Sequence, residues 1–210
     1  MIKNLIFDWS GTISDDIEIV FRSTMAVFDF LKIKRITIEE YKREFCLPYM
    51  DFYHKYCPTA VKKDQDHVFI QHISTEPLGK AYPGIPKMLK QLHEAGIKMA
   101  VLTSNPHDRT IEEAKLIGEQ YFIKYLTAVH DKTKVMKDYV DELGLNPNET
   151  AYVGDMVHDI DAGKAAGIKT IAVTWGYNNK QQLMNKQPDY VIDTPERLLN
   201  ICGVNGNNNK

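Results

Sequence analysis

Short apolar runs that stop on polar residues constrain this chain more than any other feature. They are LIFD (5–8), KMAVLTSN (98–105), YLTAV (125–129), TAYVGD (150–155) and KTIAVTW (169–175). Runs of this length without polar alternation read as strands buried on both faces, the habit of a parallel sheet. Helical periods separate them. In PGIPKMLKQLHEAG, Ile85, Met88, Leu89 and Leu92 recur at i, i+3, i+4 and i+7, with proline at the start and Gly96 at the stop. Val135, Met136, Tyr139, Val140 and Leu143 repeat the pattern before Gly144. Strand alternating with helix predicts an α/β fold with a Rossmann-like, doubly wound parallel sheet as its core.

One region breaks the alternation. From about Asp15 to Tyr82 there are helical periods and aromatics but no comparable strand. The expected organisation is a core of residues 1–14 and 82–203, an inserted all-helical cap of residues 15–81, and a disordered polar tail of residues 204–210. Open parallel sheets bind ligands at the carboxyl ends of their strands, so an insertion after the first strand hangs over the binding edge.

Composition narrows the class of partner. The 210 residues carry 26 Lys+Arg against 28 Asp+Glu, a formal charge of -2. That balance gives no basic footprint for nucleic acid and no polybasic surface for anionic lipid, so a small molecule is the expected partner. Cys46, Cys57 and Cys202 lie far apart with no C-x-x-C pair, which fits reduced thiols in a cytoplasmic protein. No run of about 18 apolar residues suggests a membrane span, and MIKNLIFDW meets Asp8 too early for a signal-peptide core.

The polar residues on which the strands end form a set. Asp8 follows the first strand and Thr103 the second, Lys132 precedes the helix of Val135 to Leu143, and YVGDMVHD supplies Asp155 and Asp159. Gathered at one sheet edge, three carboxylates suit a hard divalent cation, while a hydroxyl and an ammonium suit phosphate oxygens. Each residue taken singly is ordinary: a strand-end hydroxyl, a solvated lysine, a turn acid and a helix N-terminal acid.

Their order changes the weight of the set. Asp8-x-x-Gly11-Thr12, Thr103, Lys132, then Gly154-Asp155-x-x-x-Asp159 resembles the four-motif signature of the haloacid dehalogenase superfamily. YPGIPKMLKQLHEAGIKMAVLTSN and VTWGYNNKQQLMNKQPDYVIDTPERLL resemble its phosphoglycolate phosphatase group, which has a small helical cap. The resemblance implies that Asp8 is a nucleophile forming an aspartyl-phosphate. It implies that Asp8, Asp155 and the Ser10 backbone carbonyl hold Mg²⁺ with Asp159 orienting that shell. Thr103 and Lys132 would bind the transferring phosphoryl group, with Lys134 a rival for the lysine role. Ser104 and Asn105, and Tyr49 and His54 in the cap, would meet a phosphorylated small-molecule substrate. Phe52 and Tyr56, four apart, are expected to pack rather than bind.

Ser10 departs from that pattern. Phosphatases of the group carry a second aspartate here, which protonates the leaving alkoxide and later activates water. Serine holds its proton too tightly for either part, and losing a general acid-base is worth roughly 10²–10⁴-fold in rate. The similar phosphonatases, with DWAGT, need a cap lysine for a Schiff base, and Tyr49 stands in its place. Dehalogenases carry tyrosine at this position, and Asp155 with Asp159 favours metal instead. P-type ion pumps have a hydroxyl residue here and use a leaving group that needs no proton. The expectation is a Mg²⁺-dependent phosphohydrolase that prefers activated donors to alkyl phosphates. Its rival is a phosphate- and metal-binding protein that has lost turnover. Asp15, Asp16, His54 and His158 are candidate replacement acids, each with a solvated or hinge role as its plainer explanation.

Overall fold

A computed structural model describes residues 1–204; of the polar tail expected over 204–210, Val204 packs against the core and the rest lies outside the described residues. Its strands are β1 (Asn4–Phe7), β2 (Ser14–Asp15), β3 (Lys80–Ala81), β4 (Lys98–Leu102), β5 (Tyr125–Leu126), β6 (Thr150–Gly154), β7 (Lys169–Val173) and β8 (Tyr190–Ile192). Six of them form one parallel sheet in the order β5-β4-β1-β6-β7-β8. The chain runs outward from β1 through β4 to β5, then returns to the other side of β1 as β6. That reversal opens a crevice between the carboxyl ends of β1 and β6.

The apolar runs fill both faces of the sheet with a period of two. Leu5, Phe7, Met99, Val101, Ala151 and Val153 pack on one side against Leu89 and Leu92 of helix α5 (Ile85–Glu94) and Ala114 of α6 (His107–Ile117). Ile6, Ala100, Leu102 and Tyr152 pack on the other against Met136, Tyr139 and Val140 of α7 (Lys132–Glu142). The helices α8 (Val157–Ala165), α9 (Lys180–Asn185) and α10 (Glu196–Ile201) complete the two layers. The strands are shorter than the apolar runs: β4 stops at Leu102 and β5 at Leu126, because their polar ends leave the ladder to build loops. β8 has no counterpart in the sequence reading. It is a three-residue edge strand, too short to show a period.

Between β2 and β3 the chain forms only helices: α1 (Ile17–Phe30), α2 (Ile38–Glu44), α3 (Tyr49–Tyr56) and α4 (Lys62–Ile73). Phe28, Tyr41, Phe52 and Tyr53 are buried at their centre, and Phe52 lies 5.4 Å from Tyr56 between ring centroids, which is packing rather than binding. The two crossings to the core are tied as an antiparallel pair, Ser14 opposite Ala81 and Asp15 opposite Lys80. Cys46 and Cys57 are half-buried and Cys202 is buried, all as free thiols. No helix among the described residues is long and apolar enough to cross a membrane.

Candidate active site

The crevice at the ends of β1 and β6 holds a cluster of buried charge. Asp8 is the first residue beyond β1, Asp155 the first beyond β6, Lys132 opens α7, and Asp159 lies in the first turn of α8. The Lys132 ammonium bridges Asp8 Oδ2 at 2.8 Å and Asp159 Oδ1 at 2.9 Å. The Trp9 backbone N–H donates to Asp8 Oδ1 at 2.7 Å. Asp155 accepts from the Thr12 hydroxyl at 2.8 Å and from the Tyr177 N–H at 2.7 Å. Close backbone approach makes that cradle possible: a Cβ on Gly176 would stand 2.3 Å from Asp155, and one on Gly11 2.5 Å from its Oδ2. Gly11 also has φ +74°, a conformation that glycine adopts without strain.

The electrostatics of this cluster are unbalanced. Asp8, Asp155 and Asp159 each bring a carboxylate oxygen within 4.8 Å of the others, and all three residues are buried. Burial raises the pKa of Asp8, an effect that the Lys132 charge opposes, and raises that of Asp155 well above the carboxylate range, reinforced by the charge of Asp8. For Lys132, burial alone favours the neutral amine. The charges of Asp159 and Asp8 outweigh it and hold the ammonium above its usual value. Three buried carboxylates against one ammonium make a donor set that fits a hard divalent cation such as Mg²⁺.

Ser10 lies beside this cluster and donates its hydroxyl to Asp16 Oδ1 at 2.6 Å. Asp16 is fully buried, and its other oxygen faces the Asn105 amide at 3.4 Å. Burial, then the charge of Glu113, pushes the Asp16 carboxyl up to about 7. Of the other candidate replacement acids, Asp15 and His54 are exposed. His158 reaches the site, but burial and the Lys132 charge lower it to about 3 and keep it neutral.

A cavity of about 260 Å³ opens between these strand ends and the cap. Asp8, Ser10, Ser104, Asn105 and Tyr49 line it. Thr103 is wholly buried, and its hydroxyl accepts from the Asn105 N–H at 3.2 Å. Lys134 points away, exposed and paired with Asp131 at 2.8 Å, so Lys132 is the lysine brought to Asp8. The expectation that His54 meets substrate is not matched by its position. It is exposed, does not line the cavity, and sets its Nε2 against the Ala60 carbonyl at 3.1 Å.

Glu113 is a functional residue that the strand-end pattern does not point to. Fully buried on α6, it accepts from the Trp9 indole N–H and from the Gly79 backbone N–H, each at 2.8 Å, and faces the Arg109 guanidinium at 3.3 Å. It therefore joins the residue next to Asp8 to the segment that returns from the cap. The signal was present: Thr110, Glu113, Ala114 and Ile117 form the buried i, i+3, i+4, i+7 stripe of α6, and an acid on such a stripe requires partners.

Comparison with known proteins follows the same lines as the geometry. A family model for haloacid dehalogenase-like hydrolases matches residues 5–173. Pyrophosphatase PpaX of Halalkalibacterium halodurans is 27% identical over 213 residues, covering 97% of this chain and 98% of the relative. A phosphoglycolate phosphatase of Synechococcus elongatus is 29% identical over 126 residues, 59% of each chain. The solved structure of a haloacid dehalogenase-like hydrolase from Streptococcus pneumoniae has the same fold, with a TM-score of 0.83 at 19% identity over 95% of this chain and 98% of that one.

Proposed function

The chain belongs to the haloacid dehalogenase-like hydrolases, and on that premise we propose that it is a Mg²⁺-dependent phosphatase of small phosphorylated molecules working through an aspartyl-phosphate on Asp8. The observation that carries this reading is the convergence of Asp8, Asp155 and Asp159, with Lys132 bridging Asp8 and Asp159, at the end of the cavity that Asp8 lines. The pyrophosphatase and phosphoglycolate phosphatase names of its relatives support phosphate as the group transferred.

The residues divide the work by position. Asp8 is oriented by the Trp9 N–H on one oxygen and the Lys132 ammonium on the other. Its carboxylate attacks phosphorus, an Asp8–phosphorus bond forms, and the bond to the leaving oxygen breaks. Asp8 and Asp155 would hold the metal together with the Ser10 carbonyl, and Asp159, fixed by Lys132 and by the Met156 N–H at 3.0 Å, would orient it. When bound, Mg²⁺ supplies positive charge to the phosphoryl oxygens. Lys132 adds a second positive charge, and Thr103 holds the loop whose Ser104 and Asn105 border the phosphate position. Ser10 cannot protonate a departing alkoxide. Turnover of alkyl phosphates is therefore slow, while donors with a stable leaving anion react and leave a long-lived phosphoenzyme.

Incubation with ³²P-labelled acetyl phosphate and Mg²⁺ followed by an acid quench tests the reading. Label is expected on the wild-type chain and not on Asp8→Asn, and an unlabelled wild type refutes the mechanism. A binding protein without turnover is the second reading, which Ser10 alone favours. Release of phosphate from the labelled chain separates the two.

A further inference from the structure

The cap side of the cavity has a chemistry of its own. Tyr41, Phe45, Tyr53 and Phe69 line it, and no lysine or arginine among the described residues does. Lys62 is paired with Asp66 at 2.5 Å, and Lys132 is held between Asp8 and Asp159, so neither cation is among the lining residues. His130, which does line the cavity, is held neutral by burial and by the Lys62 charge. Among the described residues, the charged group that lines the cap wall is the carboxylate of Asp66, which Lys62 pairs from outside the lining. A leaving group carrying its own negative charge, such as phosphate or a carboxylate, meets the Asp66 carboxylate there and, among the described residues, no lining cation left unpaired to replace the water it gives up.

One polar side chain breaks the aromatic wall. Gln65, on α4, is 1% exposed, lines the cavity, and has neither its amide oxygen nor its amide nitrogen hydrogen-bonded among the described residues. A buried carboxamide without partners forfeits the hydrogen bonds it made to water in the unfolded chain. A ligand that offers a donor and an acceptor side by side removes that cost. The volume of about 260 Å³ is below the roughly 300–1,000 Å³ of sites for drug-sized ligands, which suits a single ring with a short substituent.

Resting on the phosphatase reading above, we propose that the substrate class is an aryl phosphate monoester whose uncharged leaving group is one aromatic ring bearing a carboxamide-like substituent, stacked on the cap aromatics and read by Gln65. The chemistry at the floor of the cavity fits this class. As the Asp8–phosphorus bond forms and the phosphorus–oxygen bond breaks, a phenolate leaves with the electron pair and is protonated by solvent, so the acid missing at Ser10 is not needed.

The test measures kcat/KM of the full chain with Mg²⁺ on the ortho, meta and para carbamoylphenyl phosphates, their carboxyphenyl counterparts, phenyl phosphate, 2-phosphoglycolate and pyrophosphate. The best carbamoyl ester is expected to exceed its charged counterpart, phosphoglycolate and pyrophosphate by at least about tenfold, since a site built to hydrogen-bond a group rejects analogues that leave it unpaired. Gln65→Leu is expected to lose that preference while keeping phenyl phosphate turnover within about threefold of wild type. Pyrophosphate or phosphoglycolate matching the best aryl ester would overturn the substrate class and leave the phosphatase reading standing. Equal loss on every ester in Gln65→Leu would overturn the role of Gln65, and the wild-type ranking tests the class without any variant. Absence of both turnover and phosphoenzyme with every compound would remove the phosphatase reading and this inference with it.

Discussion

Exchanging two side chains, Ser10→Asp with Asp16→Ser, tests the account of the missing acid more sharply than Ser10→Asp alone. The Ser10 hydroxyl lies 2.6 Å from Asp16, so the single substitution puts a second carboxylate against a buried first one. Two carboxylates about 3 Å apart repel by about 5–6 kcal/mol at an effective dielectric of about 20. That equals about four pKa units, so the pair keeps a proton at neutrality. The single variant should therefore resist urea less well as the pH rises above 7. The exchange keeps the number of carboxylates and the hydrogen bond while moving the acid to the reacting side. Its kcat/KM on glycerol phosphate should rise by about 10²–10⁴-fold over wild type. With 4-nitrophenyl phosphate, stopped-flow absorbance should show the phenolate burst little changed and the steady state faster, because only hydrolysis of the phosphoenzyme gains a base. An exchange variant that forms phosphoenzyme yet stays within about threefold of wild type on the alkyl ester refutes the assignment.

Other predictions follow from the buried charges. Glu113→Ala strands the Trp9 and Gly79 N–H groups and should cost about 3–5 kcal/mol in urea unfolding; a loss below about 1 kcal/mol contradicts the hydrogen bonds described. Lys132→Met leaves Asp8 and Asp159 uncompensated, so it should abolish acid-stable labelling and melt several degrees lower, with Mg²⁺ recovering part of the melting temperature. Asp8 and Asp155 have pKa values raised by burial, so Mg²⁺ must displace protons to bind and its affinity should fall as the pH falls; calorimetry in buffers of different ionisation enthalpy should register proton release. Without metal, the native chain holds the Asp16 proton up to about pH 7 while the unfolded chain gives it up near 4. Stability from this group is thus fully present below about pH 4 and declines as the pH rises from about 4 to 7, and Asp16→Asn should flatten that slope.

Strand-end residues were legible in the sequence because each follows an uninterrupted apolar run. Such a run fixes both the strand and the edge at which its polar successor emerges, as for Asp8 after LIF and Asp155 after AYVG. Lys132 could be placed near a helix start and preferred by resemblance, but the physical reason for preferring it to Lys134 lies in the fold: two residues apart on a helix, the two side chains point in different directions. Asp16 and Glu113 were obscure for a shared reason. A buried acid looks like a solvated one until its partners are known, and theirs stand 6 and 104 residues away in the chain. Gln65 sits on the polar cap helix KKDQDHVFIQHI, where glutamine is ordinary, and nothing local marks it as the residue turned inward. The edge strand β8 was hidden by brevity.

Glu113 has one carboxylate and two masters. One oxygen holds the indole of Trp9, whose backbone orients the nucleophile, and the other holds Gly79 in the segment returning from the cap. Through this one side chain the segment leaving the cap and the backbone that holds Asp8 are tied to a common anchor on α6, so the seat of the nucleophile is set from both ends of the inserted helices.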